Sequence, residues 1–407
     1  MDNCINMEKL TYPEVVECHE KYYFNIFQKT PVCFERGEGT VLYGMDGRRY
    51  LDFLGGIAVS ALGHSHPAIV NAIKDQADRF IHCSNLYYIE PQARLAKTLV
   101  EISCADRAFI CNSGAEANEA AIKLARKYQY KKGRTNKYKI VTALDSFHGR
   151  TLMTVAATGQ PKYQKPYKPL FPGFSHVPLN DAAALRAAVD GGETCAVMLE
   201  IVQGESGVKF ADPEYIKLAA KLCEENDAVF ILDEVQTGLG RTGKLFAYEH
   251  CGVEPDIFTL AKALGSGFPI GAALAKERVA SAFEPGDHGT TFGGNPLACA
   301  VGNASVNCIL GEKLYEAAAQ KGAYFLKRLN EAAKGCAAVA EVRGIGLMAA
   351  VEFNAPAAVE VKERMLASGC IAGSVGDKII RWLPPLTVKY EEIDEAAAIF
   401  GEAIKNI

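Results

Sequence analysis

The sequence of 407 residues lacks most of the features that decide a function class outright. It has no basic surplus: 44 Lys and Arg stand against 48 Asp and Glu, a net charge of −4 at pH 7. Phosphate backbones are gripped by clustered cations, so no nucleic-acid partner is expected, and no block of like charge reads as an interaction tail. Apolar runs such as CAVMLEIV (195–202) are broken by charge well before the roughly 20 residues a membrane helix requires. The amino terminus, MDNCINMEKL, is too acidic and polar for a signal or transit peptide, so a cytoplasmic location and no membrane partner are expected. Cysteine is plentiful, but its patterns are missing: the count of 13 is odd, and there is neither a C-x-x-C nor metal-ligand spacing. The cysteines are therefore expected to be reduced, mostly buried small hydrophobes, and no metal is expected. Repeats and low-complexity segments are absent. So are two nucleotide signatures: no G-x-x-x-x-G-K-[ST] occurs, and the first strand–helix turn carries no G-x-G-x-x-G.

What is present is an alternation. Short β-rich runs at 107–111, 139–144, 196–201, 228–233, 256–261 and 270–275 are separated by helical patterns such as 115–131 and 213–226. This implies an α/β fold with a mainly parallel sheet covered on both faces, and ligands beyond the carboxyl ends of its strands. The flanks differ. TVLYGMDGRRYLDFLGG (40–56) reads as a hairpin turning at Asp46 and Gly47, and the last hundred residues mix helices at 312–334, 357–369 and 391–405 with strands within 338–353. A smaller α+β domain made from both chain ends is expected: residues 1–60 join residues 306–407, around a large domain at 61–305.

Polar residues collect where the predicted strands end. In TLAKALGSG (259–267), Lys262 follows an apolar run and precedes a glycine-rich turn. A lysine there is either a snorkelling surface residue or an amine recruited as a nucleophile. CNSGAEANEAA (111–121) opens a helix, so Ser113, Gly114 and Ala115 offer N–H groups to an anion, or simply form an N-cap. FILDEVQTG (230–238) ends a hydrophobic strand at Asp233, whose carboxylate needs a cationic partner or donors to stay ionised. DSFHGRT (145–151) sets Phe147 beside Arg150, a ring cover and a carboxylate grip. HGTTFGGNP (288–296) supplies Thr290 and Thr291 before another helix start.

Together, these segments resemble the fold-type I enzymes that use pyridoxal 5′-phosphate, and specifically the class III aminotransferases. The likeness runs from LYGMDGRRYLDFLGGIAVSALGHSHP (42–67) to RWLPPLTVKYEEIDEA (381–396) and is most specific in DEVQTGLGRTG (233–243) followed by DIFTLAKALGSGFPIGA (256–272). The resemblance implies a seven-stranded sheet in the large domain and a role for each residue. Lys262 matches the Schiff-base lysine and proton shuttle, and Asp233 the carboxylate facing the pyridine nitrogen. Gln236 matches the residue at the phenolic oxygen and Phe147 the stacked ring. Ser113, Gly114 and Ala115 match the phosphate loop, and Thr291 a phosphate ligand reaching in from a second subunit, which implies a homodimer with shared sites. Arg150 matches a distal substrate arginine, Arg381 a near one, Glu205 its switchable partner, and Thr290 a substrate contact.

SNLYYIEPQARLAKTLVE (84–101), IVQGESGV (201–208) and RWLPPL (381–386) are similar to family members acting on acylated diamino acids. The implied reaction moves the terminal amine of N2-acetyl-L-ornithine to 2-oxoglutarate, giving L-glutamate, in arginine biosynthesis. Ornithine, succinylornithine, succinyldiaminopimelate and 4-aminobutyrate are the alternative donors. The chain departs from the family pattern at Thr290, where serine is usual, and at Trp382, where an aliphatic residue is common. From another class, a non-catalytic α/β protein binding a phosphorylated ligand would keep the anion loop without needing Lys262.

Overall fold

The computed structural model describes residues 9–405 and 407. Seven strands form the central sheet: β1 (Arg107–Cys111), β2 (Lys139–Ala143), β3 (Phe174–Val177), β4 (Thr194–Leu199), β5 (Val229–Asp233), β6 (Ile257–Leu260) and β7 (Gly271–Ala275). Their spatial order is β1-β7-β6-β5-β4-β2-β3. Neighbours run parallel except at β7, which is antiparallel to both β6 and β1. Every residue of β4, β5, β6 and β7 is buried, which is why these strands read as unbroken apolar runs rather than as alternation. The six runs anticipated from the sequence are all strands. The seventh, β3, is a short edge strand whose residues FSHV are mostly half-buried and carry no apolar signal.

Helices cross between strands with stop and start signals in the chain. Ser113 caps α1 (Gly114–Lys131) by accepting from the Glu116 N–H, and Asp212 caps α2 (Pro213–Glu225) by accepting from the Glu214 N–H, with proline at the first helical position. The string GLGRTG (238–243) has the spacing of a dinucleotide loop, yet it opens no helix. Gly240 and Gly243, at φ +97° and +90°, instead bring it against Tyr315 and Ala319 of α3 (Leu314–Ala333).

A second sheet lies in the carboxyl-terminal part: β8 (Val339–Ile345), β9 (Met348–Phe353), β10 (Gly373–Val375) and β11 (Ile379–Trp382), ordered β8-β9-β11-β10 and antiparallel throughout. The amino-terminal hairpin pairs Val41–Gly44 with Arg49–Asp52 across a turn holding Gly47 at φ +79°, and it gains a parallel strand at Cys370–Ile371. The two chain ends thus meet. Trp382 fastens them, packing edge-on against Phe53, Phe325 of α3 and Phe400 of α4 (Tyr390–Ala403). Its indole N–H is buried with no acceptor among the described residues, a polar cost accepted for a large apolar contact. The twelve described cysteines are all unpaired. Six are buried and six partly so, a more even division than the sequence suggests.

Candidate active site

The carboxyl ends of β1, β2, β4, β5 and β6 open on one cavity of about 420 Å³. Each strand delivers its next residues to the wall: Asn112 to Ala115 after β1, Phe147 to Arg150 after β2, Glu200 after β4, Asp233 at the end of β5 and Lys262 after β6. This is where an open α/β sheet leaves its crevice.

Lys262 sits two residues beyond β6 at φ +41°, a left-handed conformation that a residue with a side chain adopts only at a cost. Its amine lies within the cavity, where burial pushes it down to about 8. Glu205 opposes that shift, and Arg381 adds to it. The free-amine fraction near neutral pH is therefore a minority, but far larger than that of an ordinary lysine.

Asp233 is 4% exposed. Asn118 Nδ2 donates to its Oδ2 at 2.8 Å, His148 Nδ1 faces the same oxygen at 2.8 Å, and the Val235 N–H donates to Oδ1 at 3.0 Å. Burial works against ionisation, but His148 and these donors outweigh it and hold the carboxyl below its usual range. Asn118 is itself fixed, donating to the His148 carbonyl and accepting from Thr259 of β6. Glu200 shows the opposite balance. Burial and the neighbouring Asp233 raise it well above a normal carboxyl, while it accepts the Phe147 N–H at 2.8 Å. The two floor carboxyls are thus pushed in opposite directions, Asp233 towards the anion and Glu200 towards the acid.

At the far wall, Gly114 and Ala115 are the first residues of the 18-residue α1, so their N–H groups have no carbonyl one turn back within the helix. A Cβ on Gly114 would lie 2.7 Å from Val235, and one on Gly271 would lie 2.4 Å from the Ser113 carbonyl. Glycine at both places lets the helix start sit against the Asp233 loop and β7.

Arg381, on β11, is 4% exposed. It donates through Nη1 to Glu205 Oε1 at 2.6 Å and to the Gly204 carbonyl at 2.7 Å. Burial opposes the Glu205 charge, yet Arg381 keeps that carboxyl below its usual range. Gln236 packs against Gly204, and its Oε1 is buried without a partner among the described residues. Arg150 is exposed at the rim, its guanidinium 3.9 Å from the centre of the Tyr163 ring and 5.5 Å from that of Phe147.

Of the residues singled out in the sequence, Ser113, Gly114, Ala115, Phe147, Arg150, Glu205, Asp233, Gln236 and Lys262 line this cavity, and Arg381 is bonded to its wall. Thr290 and Thr291 do not line it. Thr290 Oγ1 accepts from Asn112 Nδ2 and the Gly293 N–H, and Thr291 is exposed. Sequence reasoning missed Asn118, His148, Glu200 and Tyr163. His148 stood inside the quoted FHGR string, and Glu200 was the one charge in an apolar run.

The family described as "Aminotransferase class-III" matches residues 23–404. An acetylornithine aminotransferase of Caldanaerobacter subterraneus subsp. tengcongensis is 52% identical over 393 residues, covering 97% of this chain and all of that protein. The ornithine aminotransferase of Toxoplasma gondii, in a structure described as having partial occupancy of PLP at the active site, superposes with a TM-score of 0.93 at 32% identity, over 97% of this chain and 94% of that one. The acetylornithine aminotransferase of Elizabethkingia anophelis superposes with a TM-score of 0.88 at 32% identity, over 98% and 100%. With nearly the whole chain matched, the protein belongs to the class-III aminotransferase family.

Proposed function

We propose that the protein is a pyridoxal 5′-phosphate-dependent transaminase that moves the terminal amine of N2-acetyl-L-ornithine to 2-oxoglutarate, giving N-acetyl-L-glutamate 5-semialdehyde and L-glutamate in arginine biosynthesis. The observation that carries this reading is one cavity holding a lysine amine depressed to about 8, a pinned anionic carboxylate and a free helix N-terminus.

That set fits the cofactor. The Gly114 and Ala115 N–H groups, with Ser113 beside them, would hold its phosphate, Asp233 its ring nitrogen, Phe147 and Gln236 its ring and phenolic oxygen, and Lys262 its aldehyde carbon. When bound, the cofactor supplies an electron sink for the carbon that loses its proton. The chain's own residues do the rest. Asp233, kept anionic by Asn118 and His148, holds a proton on the facing nitrogen. Lys262 takes and returns the proton at the reacting carbon, a role suited to an amine poised near the working pH. Arg150 grips the carboxylate far from the reacting carbon in either substrate. Arg381 serves the near carboxylate of glutamate or 2-oxoglutarate, and Glu205 neutralises it when the donor's apolar chain lies there instead. Thr291 completes the phosphate site of a second subunit in a cytoplasmic homodimer, and Thr290 is a substrate contact.

The test is spectroscopic. A visible absorbance band is expected on the purified protein, lost on borohydride treatment and absent in Lys262→Ala; an unreactive band, or one surviving the substitution, would favour a phospholigand-binding protein. Single-turnover rates with acetylornithine, ornithine, succinylornithine, succinyldiaminopimelate and 4-aminobutyrate then rank the donors. Acetylornithine is expected first. If 4-aminobutyrate outperforms it, the donor is wrong while the chemistry stands.

A further inference from the structure

Two arginines on one row of the second sheet hold the turn that carries Glu205. In the register of that sheet Arg343 of β8 lies opposite Ala350 of β9, and Ala350 lies opposite Arg381 of β11. Directly opposed residues in antiparallel strands project to the same face, so both guanidinium groups rise from one face with only a methyl between them. Gly373 of β10 continues the row, leaving open the other side of Arg381. The two arginines grip opposite ends of one short turn, Gly204–Ser206 and the following Gly207. Arg381 takes the Gly204 carbonyl, and Arg343 takes the Gly207 carbonyl twice, through Nε at 2.9 Å and Nη2 at 2.7 Å.

The turn holds itself weakly at its trailing end. Its backbone bond from the Gly207 N–H to the Gly204 carbonyl is 3.4 Å long, and Ser206 Oγ ties only the leading end, to the Gln203 carbonyl at 3.4 Å and to Gln203 Oε1 at 3.1 Å, while Gly207 sits at φ +94°. Arg343 is partly buried and directional. Its remaining nitrogen donates to Glu341 at 2.7 Å and to Glu352 at 2.6 Å, two carboxylates that face each other across the β8–β9 ladder. Their charge fixes the guanidinium plane and aims its free edge at Gly207.

We propose that Arg343 is a positioning residue for substrate alternation: by clamping the backbone at Gly207 it confines motion of Glu205 to its side chain and keeps the Glu205–Arg381 pair in register. This rests on the switch reading of Glu205 given above. With the clamp gone the turn drifts, Glu205 neutralises Arg381 less well, and the half-reaction that needs a neutral near pocket suffers more than the one that needs the cation.

The experiment is a double-mutant cycle on the cofactor-loaded enzyme, reading the ratio of single-turnover rate constants for acetylornithine and for glutamate in wild type, Glu205→Ala, Arg343→Met and the double variant. Arg343→Met is expected to lower the acetylornithine-to-glutamate ratio about tenfold, the cost of a misplaced group acting at a distance. The double variant is expected to match Glu205→Ala alone. A readout independent of turnover accompanies it: amide hydrogen exchange across residues 204–208 should quicken in Arg343→Met while β5 and β6 stay protected. If Glu205→Ala leaves the ratio unchanged, the switch itself fails. If Glu205→Ala moves the ratio and Arg343→Met does not, or if the two effects add, the clamp is wrong. Arg343→Lys keeps a charge between Glu341 and Glu352 but cannot fork onto one carbonyl. It replaces Arg343→Met should that variant not fold, with a smaller shift in the same direction expected and an unchanged ratio overturning the proposal.

Discussion

At the floor of the cavity Asp233 is buried and takes hydrogen bonds from Asn118, His148 and Val235, whereas at its rim Arg150 is exposed, rests on the Tyr163 ring and, among the described residues, pairs with no carboxylate. The floor is finished before any ligand arrives; the rim keeps its hydrogen-bonding capacity unspent. One chemistry with two unlike substrates demands both. A reacting centre works best when its charges need no rearrangement, while a carboxylate grip must still have free donors when the substrate arrives.

Breaking the floor should do the most damage. Asp233→Asn is expected to leave cofactor bound and to lower turnover on the order of a hundredfold, since a preorganised charge is lost where the reaction needs it. A loss under tenfold, about 1.4 kcal/mol, would sink the assignment. Breaking the rim should cost less and cost both halves alike: Arg150→Ala is expected to weaken the acetylornithine and glutamate half-reactions together by roughly 1.5–3 kcal/mol, and an effect confined to one half would contradict a shared grip.

The Lys262 amine sharpens the comparison through pH. Its value of about 8 lies below that of an ordinary lysine, so the free amine of the cofactor-free protein predominates above pH 8. Capture of the cofactor is expected to slow about fivefold from pH 8 to pH 7 and to level off above pH 8. Because the unfolded chain still binds that proton between about 8 and 10.5, the cofactor-free fold should gain stability as pH rises through this window; a loss there would reverse the sign. Smallest of all, Tyr163→Ala removes the platform under Arg150 and should raise KM for both carboxylate substrates by about 0.5–1 kcal/mol with kcat nearly unchanged.

The floor's principal residues were legible in the sequence because each lies at or just past a strand end. Asp233 closes FILD, Lys262 closes TLA, and Ser113 to Ala115 open a helix, so period and punctuation place them at one sheet edge. Their supports were not legible. Asn118 reaches Asp233 across 115 positions, and Arg343 reaches Gly207 across 136. Neither residue breaks a local rule in a way that would draw attention: Asn118 sits inside a helix and Arg343 inside a strand. β3 went unseen for the converse reason, since an edge strand half in solvent needs no apolar run.

The antiparallel β7 has a consequence for how the protein comes into being. Among the described residues it is the only strand paired with β1, so within the sheet the strand leading to the helix start at Gly114 reaches the strand leading to Lys262 through a segment some 160 positions later in the chain. A partly folded chain in which β7 has not yet slotted between β1 and β6 can possess every helix and still lack a finished cofactor site, because its anion end is then held to its amine end only through side chains of α1, such as Asn118 bonded to Thr259 and Asp233. Pairings so distant in sequence close late. The coloured holoenzyme therefore reports the final step of assembly, and refolding followed by cofactor absorbance should lag behind refolding followed by helix content.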